Sequence, residues 1–266
     1  TPPPRSPVAS SPVAHPAATI DDPRPAPVAE AAPAHHRPHL DGLRTVAVYL
    51  VVLYHAGLGR FSGGVVGVDV FFVVSGYLVT QLLLRDLHAS GTVDLRRFYA
   101  RRVRRLLPAA AVVLVATALV FAVVGSPAEW PDAQDAMRAA ALYVSNWFFL
   151  ARATDYFAAD IATNPVLHFW SLAVEEQFYI LWPLVLLGLS RLARSSRNPT
   201  RVLQGVVAVG GALSLGAALS LADHHLDRAY FGTDTRAYQL LAGALLALSP
   251  GVVARLRRLA PSWLVP

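Results

Sequence analysis

Six stretches of this chain, residues 43–58, 65–84, 106–124, 166–189, 202–222 and 238–253, are strongly apolar. A helix of about 20 such residues crosses the roughly 30 Å of hydrocarbon in a bilayer, so the pattern calls for an all-α, polytopic transmembrane bundle of six to seven segments. Composition points the same way. The chain is 55% hydrophobic and 15% charged, against about 45–50% and 25% in a soluble domain, which argues against a soluble enzyme. Cysteine is absent, and with it disulfides, thiolate zinc sites and a cysteine nucleophile. All 23 basic residues are arginine, so no lysine is available for Schiff-base chemistry. A pI near 10 fits cytoplasmic-loop arginines better than nucleic-acid binding.

Residues 1–39 are of different material. Eleven of the 20 prolines lie there among Ala, Ser and His, with no apolar period, and such a segment reads as a disordered cytoplasmic tail in which His35 and His36 are solvated. The first residue is Thr1 and no signal peptide is recognisable, so the chain reads as a piece of a longer protein. Residues 40–266 form the membrane domain. Segment 85–105 carries seven arginines and is placed in the cytoplasm, and the spans then alternate. The acidic loop with Glu129, Asp132 and Asp135 falls outside. The arginine-rich loops 191–201 and 255–258 fall inside only if the short stretch 136–150, which contains Ser145 and Asn146, does not cross. That stretch is expected to be re-entrant or interfacial, and polar backbone at membrane depth marks a cavity or a protein-buried site.

Ionisable groups within spans are costly and point to function. Arg44 and His55 share a face of the first span, about 16 Å apart along the axis. His55 reads equally as a structural histidine, and Arg44 more simply as a snorkelling interfacial arginine. Gly67 and Gly76 read as close-packing positions on the second span. Asp69 there needs a cavity or partner, and Ser75 reads most simply as bonded back to its own helix. In the run from Phe98 to Pro108, Arg102 and Arg105 are i,i+3 neighbours whose guanidinium forks suit phosphate, with anchoring to anionic headgroups as the plainer reading. Span 166–189 contains His168, Trp170, Ser171, Glu175, Glu176 and Gln177. The adjacent carboxylates cannot face one way, and Glu175, nearly in line with His168, is placed to orient or deprotonate an imidazole. With the derived topology this group starts on the outer side, where His55 also lies. Arg236 stands before the last span, and no residue pattern suggests a metal site.

Taken in order, the Asp41–Arg44 block with His55, the Gly67–Gly76 block, the Phe98–Pro108 run, the Asn164–Tyr179 block and the Thr233–Gly243 block resemble the acyltransferase-3 family of integral membrane acyltransferases. The resemblance covers residues 40–248. It implies transfer of an acyl group, commonly acetyl, from cytoplasmic acyl-CoA to a hydroxyl of an extracytoplasmic acceptor such as a cell-envelope glycan or a lipid-linked glycan, without a metal. Carried over by position, His55 is the catalytic histidine, Arg44 its companion and Glu175 the acid. Arg102 and Arg105 match the pair associated with the acyl donor, although Arg101 and Arg104 keep the same spacing. Asp69, Ser75, His168, Trp170, Ser171 and Arg236 make up the expected substrate-binding set. Gln239 departs from the Glu often found there, and the family's usual count of about ten spans implies that the closing helices are missing. His55 acts either as general base or as an acyl carrier. A transporter using His55 and Glu175 as a proton relay is the alternative, but it calls for inverted repeats, which the chain does not display. The expected location is the cell membrane, multi-pass, with the N-terminus in the cytoplasm.

Overall fold

The computed structural model describes residues 38–57, 66–154 and 163–259, and every regular element among them is a helix. In order these are α1 (Pro38–His55), α2 (Val66–Ser90), α3 (Leu95–Val124), α4 (Trp130–Ala141) and α5 (Ser145–Ala153), followed by α6 (Phe169–Ala193), α7 (Pro199–Ala222), α8 (Leu226–Phe231), α9 (Thr233–Leu248) and α10 (Pro250–Leu259). The all-α bundle expected from the apolar blocks is the fold observed. Nearly all of the expected tail, with His35 and His36, lies outside the described residues.

Four helices, α2, α3, α6 and α7, are long and apolar enough to cross a membrane. Among the described residues these four do not confirm the expected count of six or seven spans. α1 has 18 residues but is diluted by Asp41, Arg44 and His55. The 16 residues of α9 rise only about 24 Å. The arginine run and the third apolar block form one helix of 30 residues, started by the Asp94 carboxylate, which accepts the Arg97 N–H at 2.9 Å. Residues 136–150 are not one rod: α4 stops at Ala141, α5 begins at Ser145, and Tyr143 between them has φ 55°. The stretch thus belongs to two helices of 12 and 9 residues, each too short to cross a bilayer by itself.

The side-chain pairings fix the directions. Phe72 meets Trp170, and the Trp182 indole donates to the Thr80 hydroxyl at 2.8 Å, so α2 and α6 run parallel. α9 runs parallel to α2 as well, since Asp69 reaches Arg236 and Gln239 while Gly76 and Gly243 sit deeper. A Cβ on Gly76 would meet the Leu240 carbonyl, and one on Gly243 would meet the Val73 carbonyl and the Tyr77 nitrogen; the two backbones touch where neither residue has a side chain. Gly67 lies as closely on the Ala47 carbonyl of α1. α7 packs antiparallel on α9, with the Gln204 amide donating to the Leu248 carbonyl and the Ser214 hydroxyl to that of Asp234. α3 lies antiparallel to α6, tied by the Tyr99 hydroxyl to the Ile180 carbonyl at 2.7 Å. Only Phe98 of α3 is buried among the described residues, and its Val112–Val124 stretch offers apolar side chains outward, as a lipid-facing helix does. One end of the bundle therefore collects the starts of α2, α6 and α9 together with His55. The other collects the arginine-rich ends, where Arg194 donates to the Gly91 carbonyl.

Candidate active site

His55 is the last residue of α1, and its ring is exposed. Its Nδ1 lies 2.8 Å from the Val51 carbonyl one turn back. A carbonyl only accepts, so Nδ1 carries a hydrogen, and in the neutral ring the lone pair then falls on Nε2. That is the tautomer of a general base. The ring packs edge-on against His168, 4.5 Å between centroids, and against Tyr54. His168 precedes α6, and its affinity for a proton is lowered first by burial of its inner side and then by His55.

Next to the histidine pair, Trp170 is buried among Phe72, Tyr230 and Phe231. The Arg236 guanidinium lies over Tyr230 and Trp170, donates from Nε to the Tyr230 carbonyl at 2.9 Å and pairs with Asp69 at 3.3 Å. The Gln239 amide donates to the same Asp69 oxygen at 2.6 Å. Asp69 thus has the partners its place in an apolar helix demands. Gln239 is the residue that sequence reading passed over as a lost carboxylate. As an amide it supplies the N–H that a carboxylate there would lack, while its buried Oε1 has no partner among the described residues.

Deeper in the bundle the two adjacent carboxylates diverge as expected for neighbours on a helix. Glu175 turns to α2 and accepts from the Ser75 and Tyr179 hydroxyls through one oxygen. Glu176 turns to α3 and pairs with Arg102 at 3.5 Å. The expected contact between Glu175 and an imidazole is not what the structure brings together: His168 meets His55, and Glu175, about two helical turns or 10 Å further along, is held by Ser75 and Tyr179. Ser75 accordingly does not bond back to its own helix. Ser171 donates to the His168 carbonyl at 3.2 Å. Of the paired arginines, Arg102 turns inward over the Tyr179 ring, and Arg105 is exposed along with Arg101 and Arg104. Arg44 lies half-buried near Phe71, its Nε without a partner among the described residues. Sequence reading missed Glu176 and Tyr179. Their i,i+3 relation, with Glu175 i,i+4 from Tyr179, was the available signal.

The broken segment is tied to this site. Gln177 donates to the Tyr143 carbonyl at 2.8 Å and to the Asn146 side-chain oxygen at 2.9 Å, and accepts from the Thr233 hydroxyl at 2.5 Å and the Trp147 indole at 3.3 Å. Asn146 in turn donates to the Phe231 carbonyl and to Thr233, each at 3.0 Å. This knot joins α5 to α6 and to the junction of α8 and α9.

Comparison with known proteins gives this arrangement a family. The family described as an acyltransferase domain matches residues 37–264. The O-acetyltransferase OatA of Staphylococcus aureus strain NCTC 8325 is 41% identical over 214 residues, covering 79% of this chain and 34% of the relative. The protein of the same name from strain MRSA252 gives the same figures. The chain therefore spans about a third of the length of these curated relatives. No solved structure matches it. With the match running across all ten helices of the described residues and four of them fit to span a bilayer, the chain is a multi-pass membrane protein of the acyltransferase-3 family.

Proposed function

We propose that this chain is the membrane-embedded part of an O-acyltransferase that moves an acetyl group from acyl-CoA on the cytoplasmic side to a hydroxyl of an extracytoplasmic glycan or lipid-linked acceptor. The observation that carries the reading is the fixed tautomer of His55 at the end of the bundle opposite the arginines. By the positive-inside rule the arginine-rich end faces the cytoplasm, and the N-terminus lies on that side. The exposed guanidinium groups of Arg101, Arg104 and Arg105 suit the donor's phosphates. At the other end, His55 Nε2 takes the proton of the acceptor hydroxyl as its oxygen attacks the thioester carbonyl. The C–O bond forms, the C–S bond breaks, and the thiolate leaves to be protonated by the imidazolium. Trp170, Arg236, Asp69 and Ser171 border the space in which acceptor and acyl group meet. Glu175 acts on the wall of that space through Ser75 and Tyr179.

The test supplies labelled acetyl-CoA to membranes containing the full-length protein and follows label into the envelope fraction. Label should appear with the wild type and fall at least 100-fold with His55→Ala. Equal labelling in the two would remove His55 from the chemistry. No label in either, together with proton-coupled uptake, would replace the enzyme by a transporter.

A further inference from the structure

Between α3 and α6 lies a cavity of about 120 Å³, walled by Tyr99, Arg102, Leu106, Leu107, Tyr143 and Glu176 among others. Tyr143 comes from neither helix. It belongs to the turn between α4 and α5 and holds φ 55°, in the left-handed region where a bulky aromatic residue is an outlier. Its N–H donates to the Ala140 carbonyl at 3.1 Å, and its carbonyl is clamped by the Gln177 amide, itself bound by Asn146, Thr233 and Trp147. A glycine would take this turn without strain. The chain instead places a phenol there and braces it, and strain braced in this way belongs to sites where a side chain has to be presented.

Two hydrogen-bond donors of these lining residues have no acceptor among the described residues. The Arg102 Nε is buried and has no partner among the described residues, its Nη2 being taken by Glu176. No described protein group accepts from the Tyr143 hydroxyl. Val103, Leu106, Leu107 and Ile180 give the wall its aliphatic part, beside the rings of Tyr99 and Tyr179 and the Glu176 carboxylate. This lining suits an extended chain of methylenes that carries carbonyl oxygens. It does not suit phosphates, for which the exposed arginines on the outer face of α3 are the match. We propose that the cavity holds the amide-bearing arm of an acyl thioester, with the Tyr143 hydroxyl and Arg102 donating to its carbonyl oxygens. The inference rests on the acyl-CoA reading above and adds Tyr143 to it as a positioning residue.

The full-length protein in nanodiscs is titrated with acetyl-CoA, S-acetylpantetheine and adenosine 3′,5′-bisphosphate, and Tm is recorded for each variant. Tyr143→Phe should weaken the two arm-bearing ligands about tenfold, as loss of one buried hydrogen bond does. It should leave the bisphosphate and Tm unchanged. Tyr143→Gly should lose arm binding with no fall in Tm. If the glycine variant fails to fold, Tyr143→Phe still decides. Wild-type affinity of Tyr143→Phe for both arm ligands overturns the inference alone, as does an equal loss for all three ligands, which marks a merely structural residue. A wild type that binds none of the three overturns the acyl-CoA reading and this inference with it.

Discussion

The Nδ1 hydrogen of His55 is held by a carbonyl of its own helix, so the lone pair at Nε2 does not depend on any partner helix for its orientation. His168 beside it is exposed on its outer side, and contact with the bundle on the other lowers its proton affinity. Burial and His55 both hold it below the ordinary imidazole value, which is about 6.5. As pH falls through that value the unfolded chain takes up this proton and the folded chain does not. The folded state therefore loses stability on acidification, with no such loss above the ordinary value. His168→Asn should flatten the Tm-against-pH curve from about pH 6.5 downward, and an acid limb of unchanged slope would discard this account. The sequence made the residue types and the divergence of Glu175 from Glu176 legible, since helical geometry alone separates neighbours by about 100°. It did not reveal that Glu175 would be held by Ser75 and Tyr179. That depends on which face of α2 meets α6, a matter of tertiary packing.

α2 and α9 approach until backbone meets backbone at Gly76 and Gly243. Gly76→Ala forces a Cβ onto the Leu240 carbonyl, which cannot withdraw as a side chain would, and should cost about 1–3 kcal/mol. Gly188 on α6 has nothing within 4 Å of the same position, so Gly188→Ala should leave stability unchanged or raise it by up to about 1 kcal/mol through helix propensity. Thermal unfolding of both variants in one detergent checks the contrast; a shared response would mean that the close approach does not govern stability. Element positions were largely legible, because apolar blocks announce helices in a bilayer. Their ends were less so. Hydropathy separates the arginines at 96–105 from the valines that follow, although the backbone continues through both as α3. The opposite holds at 136–150, where Ser145 and Asn146 mark the stretch as unusual but nothing in the hydropathy locates the turn at Tyr143.

At the scale of the molecule, the side chains at the two ends carry opposite charge. Asp132 and Asp135 lie near the end of α3, and Arg194 and Arg197 follow α6. The chain contains no cysteine, so single reporters can be introduced without background. In intact cells a membrane-impermeant maleimide should label Asp135→Cys and should reach Arg197→Cys only after lysis. The reverse order would invert the proposed topology. That His55 and the start of α6 share an end was legible from counting spans by charge, whereas the neighbours of each helix were not. The parallel course of α2, α6 and α9 has an electrostatic consequence. Each helix carries a macrodipole worth about half a positive charge at its N-terminus, and all three N-termini open at the end occupied by His55 and His168. α1, α3 and α7 run the opposite way and bring their C-termini to that end, so the fields offset one another at a distance and each N-terminus acts only within its own first turn. Negative charge developing on a carbonyl oxygen within the first turn of one of these helices is stabilised by that helix's free backbone N–H groups. The arginines at the opposite end sit where the same three C-termini are negative, so side-chain charge and peptide dipoles oppose along the axis and each stabilises the other.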